Sequence, residues 1–214
     1  MKLAVIPCRA GSVGLPGKNK RLMLGKALFM WSVEQAAAAG CFDKIVVATD
    51  DPDIMLMDVR PAEIWPRSPL SAGPDVCTEV VLLEVILHYK PDQVCLLQAT
   101  SPLRRASDVS CAVSAVEKHY ESVVSVVQDY RVVPGQPRQM RQDVKWLEHC
   151  VENGSIYAFR ARTFLRTLDR ICGYYFRMEM PSWTRHEIDD EDDWGTVELM
   201  MLRHLLPYGD PYVT

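Results

Sequence analysis

Short apolar runs alternate with amphipathic stretches along most of this chain. Residues 2–7 (KLAVIP), 44–51 (KIVVATDD), 93–99 (QVCLLQA) and 122–128 (SVVSVVQ) are near-continuous apolar runs of strand length. Such runs mark strands covered on both faces. Residues 28–39 (LFMWSVEQAAAA, stopped by Gly40), 76–89 (VCTEVVLLEVILHY) and 107–120 (SDVSCAVSAVEKHY) place apolar residues at helical spacing. The third of these offers Ser107 or Asp108 as its N-cap. Residues 63–65 (EIW) predict a short strand, although DPDIMLMDVRPAEIW leaves little room for a helix and a strand together. Further on, the pattern predicts a turn at ENG, a strand over 155–161 (SIYAFRA), a helix through RTFLRTL and a last strand over 176–180 (FRMEM). A helix then follows the acidic HEIDDEDDW and runs to about Leu206.

Strands and helices alternating at intervals of about thirty residues predict a mostly parallel α/β sheet flanked by helices. Ligands of such sheets sit at the C-terminal ends of the strands. Three polar clusters fall at those ends: CRAGSVGLPGKNKR after the first strand, TDD after the second and QATSPLR around the end of the third. Residues 129–150 (DYRVVPGQPRQMRQDVKWLEHC) break the rhythm and read as an inserted, hairpin-like arm of a single domain spanning 1–214.

Composition narrows the function classes. A net charge of −4 and a pI near 5.7 argue against a general nucleic-acid binder. The longest apolar run is far too short to span a membrane, and LAVIP followed by arginine reads as a first strand rather than a leader. Seven cysteines, none in a CxxC pair and most in apolar company, suggest free thiols and a reducing cytoplasm. The five histidines show no zinc-ligand spacing.

The stretch from Arg9 to Arg21 is too Gly-rich for a helix and too basic for a core. Glycines let a backbone curl closely around phosphate oxygens. Arg9, Lys18 and Arg21 would add charge-assisted hydrogen bonds. The stretch fits neither GxxxxGK[ST] nor GxGxxG. At the other end, Glu187 and Asp189 flank an apolar Ile188. In an extended segment, two residues that far apart face the same side, so both carboxylates could serve one Mg²⁺. Asp190, Asp192 and Asp193 read instead as a helix cap.

IPCRAGSVGLPGKNKR resembles the signature of the CTP-using sugar-acid activating enzymes, in which the pattern is close to IPARGGSKGIPGKN. The ending PGKN is similar to that of the N-acylneuraminate cytidylyltransferases and their legionaminic and pseudaminic acid relatives. LLQATSPLR resembles the family's LLQPTSPLR, ENGSIYAF its ENGAIYI and EIDDEDDW its DIDTEEDW. The blocks fall in the family's order. The resemblance implies a Rossmann-like, three-layer nucleotidyltransferase fold. It also implies transfer of CMP from CTP to the anomeric hydroxyl of a nine-carbon 2-keto sugar acid, with Mg²⁺ or Mn²⁺ as cofactor. By the same resemblance, Arg9, Ser12, Lys18 and Asn19 hold the triphosphate, helped by backbone around Gly11 and Gly14. Arg67, Ser71 and Asp75 lie in the nucleobase-reading segment. Gln98, Thr100 and Ser101 face the sugar and the reaction centre, and Arg104 braces their loop. Asp189 and Glu187 hold the metal, Asp189 the better placed because glutamate stands where the family has aspartate.

Arg131, Arg138 and Arg141 are candidate partners for the sugar carboxylate. In the family, the region of the arm pairs two subunits, so a homodimer is implied. Val13 stands where the family has lysine. A CMP-Kdo synthetase-like enzyme, another sugar nucleotidyltransferase and a catalytically weak homologue acting as a binding protein remain open as alternatives. The residues do not choose the acceptor sugar or assign a general base.

Overall fold

The computed structural model describes residues 1–11, 14–73, 76–129 and 150–206. The predicted α/β sheet is present. Its strands are β1 (Lys2–Cys8), β4 (Lys44–Thr49), β5 (Glu63–Pro66), β6 (Gln93–Leu97), β7 (Ser122–Gln128), β8 (Cys150–Arg160) and β9 (Tyr175–Glu179). They lie in the order β5-β4-β1-β6-β8-β7-β9. Every pairing is parallel except those of β8, which runs antiparallel to both of its neighbours. A two-strand ribbon, β2 (Leu22–Met23) and β3 (Lys26–Ala27), stands apart from the sheet.

The apolar strands alternate between two cores. Ala4, Ile6, Val47, Cys95 and Leu97 face α1 (Leu28–Ala39) and α5 (Ala106–Lys118). Leu3, Val5, Val46, Val94 and Leu96 pack with Val81, Leu82, Val85 and Ile86 of α4 (Thr78–Tyr89) and with Phe164 of α6 (Ala161–Thr167). Burial on both faces is why these strands read as continuous apolar runs. A third cluster joins Leu15, Met23, Leu28 and Trp31 to Ile188 and to Trp194, Val197 and Met201, the last three on α7 (Glu191–His204). It anchors the first loop to the acidic end of the chain.

Several local expectations change. ENG is not a turn between elements but lies inside β8, where the register against β7 shifts between Val124 and Val126. Gly154 takes a φ of +68° there, and the Asn153 side chain accepts from Ser125 Oγ at 2.6 Å, closing the bulge. The N-cap of α5 is Arg105 rather than Ser107 or Asp108; Asp108 sits a turn in and accepts from the Arg105 N–H at 2.8 Å. The segment 52–66 holds both a helix and a strand, because the helix α2 (Pro52–Met55) needs only four residues. Of the seven free cysteines, Cys8, Cys95 and Cys172 are buried, whereas Cys77 and Cys111 are exposed. Gln128 and Cys150 pair across β7 and β8, so the chain leaves and re-enters the sheet at one place. Of the expected arm, 129–150, residues 130–149 lie outside the described residues, and Cys150 belongs to β8 rather than to an insertion. No described helix is long and apolar enough to cross a membrane.

Arg104 is fully buried and braces the loop after β6. Its guanidinium donates to the carbonyls of Gln98 (3.2 Å), Ser101 (2.7 Å) and Ser155 (3.0 Å), and to the Ser32 hydroxyl on α1. Burial lowers its pKa to about 10, so it stays charged at neutral pH. The planar fork reaches four acceptors on three elements, which lysine does not match. Arg104→Met should lower the unfolding free energy by about 3 kcal/mol, because several buried carbonyls lose their donor. Arg104→Lys should recover less than half of that. Urea melts of the three proteins check both.

Candidate active site

The first loop is pinned from below by the TDD cluster at the end of β4. The Thr49 hydroxyl donates to the Cys8 carbonyl at 2.6 Å, and Asp50 accepts the Ala10 N–H at 3.0 Å. Lys20 pairs with Asp51 and Asp53 on α2, so this lysine braces the loop. Gly17, at φ +68°, starts a tight turn over Lys18–Lys20 that carries Lys18 and Asn19 inward. Asn19 donates to the Arg9 carbonyl at 3.2 Å. The described part of the loop is therefore held by polar contacts within it and to the end of β4.

The loop then meets the acidic segment from the other end of the chain. Lys18 donates to the Ile188 carbonyl and lies 3.2 Å from Asp189 Oδ1. Gly14 lies so close that a Cβ there would be 2.4 Å from the Asp189 carbonyl oxygen. Ile188 is buried in the third core cluster, and its N–H donates to the Thr100 carbonyl at 2.9 Å. With Ile188 turned inward, Glu187 and Asp189 both border the same cavity, as their alternation predicts. Their partners differ: Glu187 accepts from the Thr100 hydroxyl at 2.8 Å, and Asp189 faces Lys18.

This cavity of about 370 Å³ opens beyond the C-terminal ends of β1 and β6. Arg9, Lys18 and Arg67 give it three cations, Glu187 and Asp189 two carboxylates, and Gln98 and Thr100 neutral polar groups. Cys77 and Thr78 at the N-terminus of α4 also border it, adding the positive end of a helix dipole. Burial lowers the Arg67 pKa, and the neighbouring Arg9 charge lowers it further, while Asp50 opposes this. A concentration of positive charge of this kind suits a polyanion.

Of the sequence candidates, Arg9, Gly14, Lys18, Asn19, Arg67, Gln98, Thr100, Glu187 and Asp189 border this one cavity. Gly11 is exposed and does not border it. Ser71 is buried with its hydroxyl on Glu84 at 2.7 Å, away from the lining. Ser101 is also buried behind the lining. Ser12, Asp75, Arg131, Arg138 and Arg141 lie outside the described residues.

Gly154, which the sequence offers only as part of the ENGSIYAF block, sits where three segments meet. A Cβ there would lie 2.9 Å from both Gln98 Oε1 and Glu187 Oε2 and 3.0 Å from Ser101 Oγ. Its signal was present as the glycine of ENGS, but the bulge that makes it essential depends on pairing with β7. The first turn of α4 had no chemical signal at all.

The donor chemistry fits a hard divalent cation. Both carboxylates border the cavity, and the Asp189 side chain is 76% exposed, with Lys18 bonded to Oδ1. Among the described residues no third acidic, His or Cys group joins them in a cluster. Mg²⁺ commonly completes such a shell with phosphate oxygens and water.

A family model described as cytidylyltransferase matches residues 3–188. The chain is 30% identical over 221 residues to the N-acylneuraminate cytidylyltransferase of Oncorhynchus mykiss, covering 94% of this chain and 50% of that protein. It is 37% identical over 131 residues to the CMP-N,N'-diacetyllegionaminic acid synthase of Legionella pneumophila, covering 58% of this chain and 56% of that protein. The chain thus spans about half the length of these curated relatives. Among solved structures, a CMP:2-keto-3-deoxy-manno-octonic acid synthetase complexed with CTP superposes with a TM-score of 0.74 at 18% identity, covering 95% of this chain and 99% of that one. This last likeness speaks to the fold. The Gly-rich loop, the polar strand ends and the acidic segment converge on one cavity within the matched region, and the chain belongs to the cytidylyltransferase family.

Proposed function

We propose that this protein transfers CMP from CTP to the anomeric hydroxyl of a nonulosonic acid and releases pyrophosphate. The observation that carries the reading is the contact of Lys18 with Ile188 and Asp189, which joins the basic loop to a carboxylate at one cavity. The names of the sequence relatives support the acceptor class.

Arg9 and Lys18 bind the triphosphate and offset charge that builds on the α-phosphoryl oxygens. Transfer of this kind needs positioning and electrostatic stabilisation more than covalent catalysis. Asn19 and Gly14 keep the loop at the right distance from the acidic segment. Arg67 and the first turn of α4 hold the nucleoside side. Gln98 and Thr100 orient the acceptor, and Arg141 is the candidate partner for its carboxylate. Asp189, with Glu187 beside it, would hold Mg²⁺ or Mn²⁺, which supplies further neutralisation of phosphate charge when bound. The protein works as a homodimer in the cytoplasm.

Pyrophosphate release should be measured with CTP, Mg²⁺ and a panel of N-acylated nonulosonic acids plus Kdo. Release is expected with a nonulosonic acid; release with Kdo alone would overturn the acceptor assignment. Lys18→Ala and Asp189→Ala should each lower kcat by about 100-fold or more, the scale of losing one preorganised charge contact.

Gly14→Ala tests the fit of loop to acidic segment. The added methyl would push against the Asp189 carbonyl and displace the loop. We expect kcat/KM to fall by about 10- to 100-fold, as displacements near 1 Å do in active sites. Kinetics alongside a thermal melt will separate this from unfolding; the melting temperature should shift by no more than a few degrees.

A further inference from the structure

Ser71 lies in the segment expected to read the nucleobase, yet its hydroxyl points away from the cavity. Its contacts give the reason. Glu84, on the second turn of α4, accepts from the hydroxyls of both Ser68 and Ser71. The two serines begin and close the short turn α3 (Pro69–Ala72), where Ser68 is the N-cap and accepts the Leu70 N–H at 3.2 Å. One carboxylate therefore fastens that turn to the helix whose N-terminus borders the cavity.

The turn in its own right holds Arg67. The Ser71 carbonyl accepts from the Arg67 guanidinium, while the Arg67 N–H donates to the Thr49 carbonyl at 2.9 Å. Arg67 is thereby fixed at both ends, and it borders the cavity. Its Nε is buried and has no partner among the described residues. A buried donor without an acceptor is costly, and a bound nucleotide oxygen or ring nitrogen would relieve that cost.

We propose that Glu84 is a positioning residue for nucleotide binding, acting through Ser68 and Ser71 to aim Arg67 at CTP. The inference rests on the CTP-binding reading given above. Ser71 then contributes to the nucleotide site without touching the nucleotide. Without Glu84, the two hydroxyls lose their shared acceptor and the turn no longer holds its carbonyl against Arg67. The guanidinium then spreads over several orientations, and its remaining donors lose their aim.

Calorimetric titration of CTP into the wild type, Glu84→Ala, Arg67→Ala and the double variant tests this, with thermal melts as a folding control. Arg67→Ala should weaken CTP binding by about 10- to 100-fold, the range for a hydrogen bond made by a charged group. Glu84→Ala should weaken it by about tenfold while kcat at saturating CTP stays within about threefold, since the proposed role of Glu84 is in binding rather than in the chemical step. In the Arg67→Ala background, Glu84→Ala should add less than about twofold, because a residue that acts through another has no effect once the other is gone. Ser71→Ala should weaken binding less than Glu84→Ala, since Ser68 keeps the clamp half closed. Effects of Glu84 and Arg67 that multiply independently would overturn the proposal, as would a Glu84→Ala protein with wild-type CTP affinity. A wild type that does not bind CTP would sink the functional reading and this inference together. A wild type that binds CTP beside an unaffected Glu84→Ala sinks only the inference.

Discussion

The site depends on the seat of one ammonium group. Lys18 is nearly buried, and its ammonium group points at a carbonyl and a carboxylate that lie some 170 positions further along the chain. A buried cation is tolerable only with such partners. The Ile188 carbonyl is available because Ile188 itself is locked in the apolar cluster with Leu15 and Trp194. The same packing turns Glu187 and Asp189 outward to the cavity. Hydrophobic burial of one isoleucine thus sets the position of two acids and one base. Gly14 allows the approach, because no side chain could fit against the Asp189 carbonyl.

The second organising feature is the bulge in β8. An antiparallel strand inserted between β6 and β7 brings the ENGS block beside the loop after β6. Ser125 donates to Asn153 within the bulge, the Asn153 amide donates on to Thr184, and Gly154 adopts the left-handed backbone that the bulge requires. The space left by its missing side chain is taken up by Gln98, Ser101 and Glu187. Arg104 then fixes the same loop to Ser155 and to α1. Two of the chain's polar strand ends are therefore assembled by backbone geometry as much as by charge.

These features explain what was readable beforehand. The four apolar strands, the main helices and the parallel arrangement were legible because burial on both sheet faces writes long apolar runs into the sequence. Arg9, Lys18 and Asp189 were legible from a Gly-rich basic loop and an alternating acidic pair, whereas Gln98 was legible only through the resemblance of LLQATSPLR to a family block. The turn assigned to ENG was misread because a bulge and a turn share the same residues; only the partner strand distinguishes them. Ser71 stood within its expected segment, but its hydroxyl direction depends on Glu84, a helix residue with no local sign of that role.

The fold class and the polar clusters at the strand ends were readable from the residues alone, since local composition and spacing need no partner; the family was readable only through four motif blocks that resemble it. Only the tertiary structure decided which of those residues share one cavity. That outcome depends on contacts between distant segments: Lys18 on Ile188, Gly14 on Asp189, and Gly154 among Gln98, Ser101 and Glu187. Periodicity reports which face of an element is buried, but it carries no information about what lies across the gap.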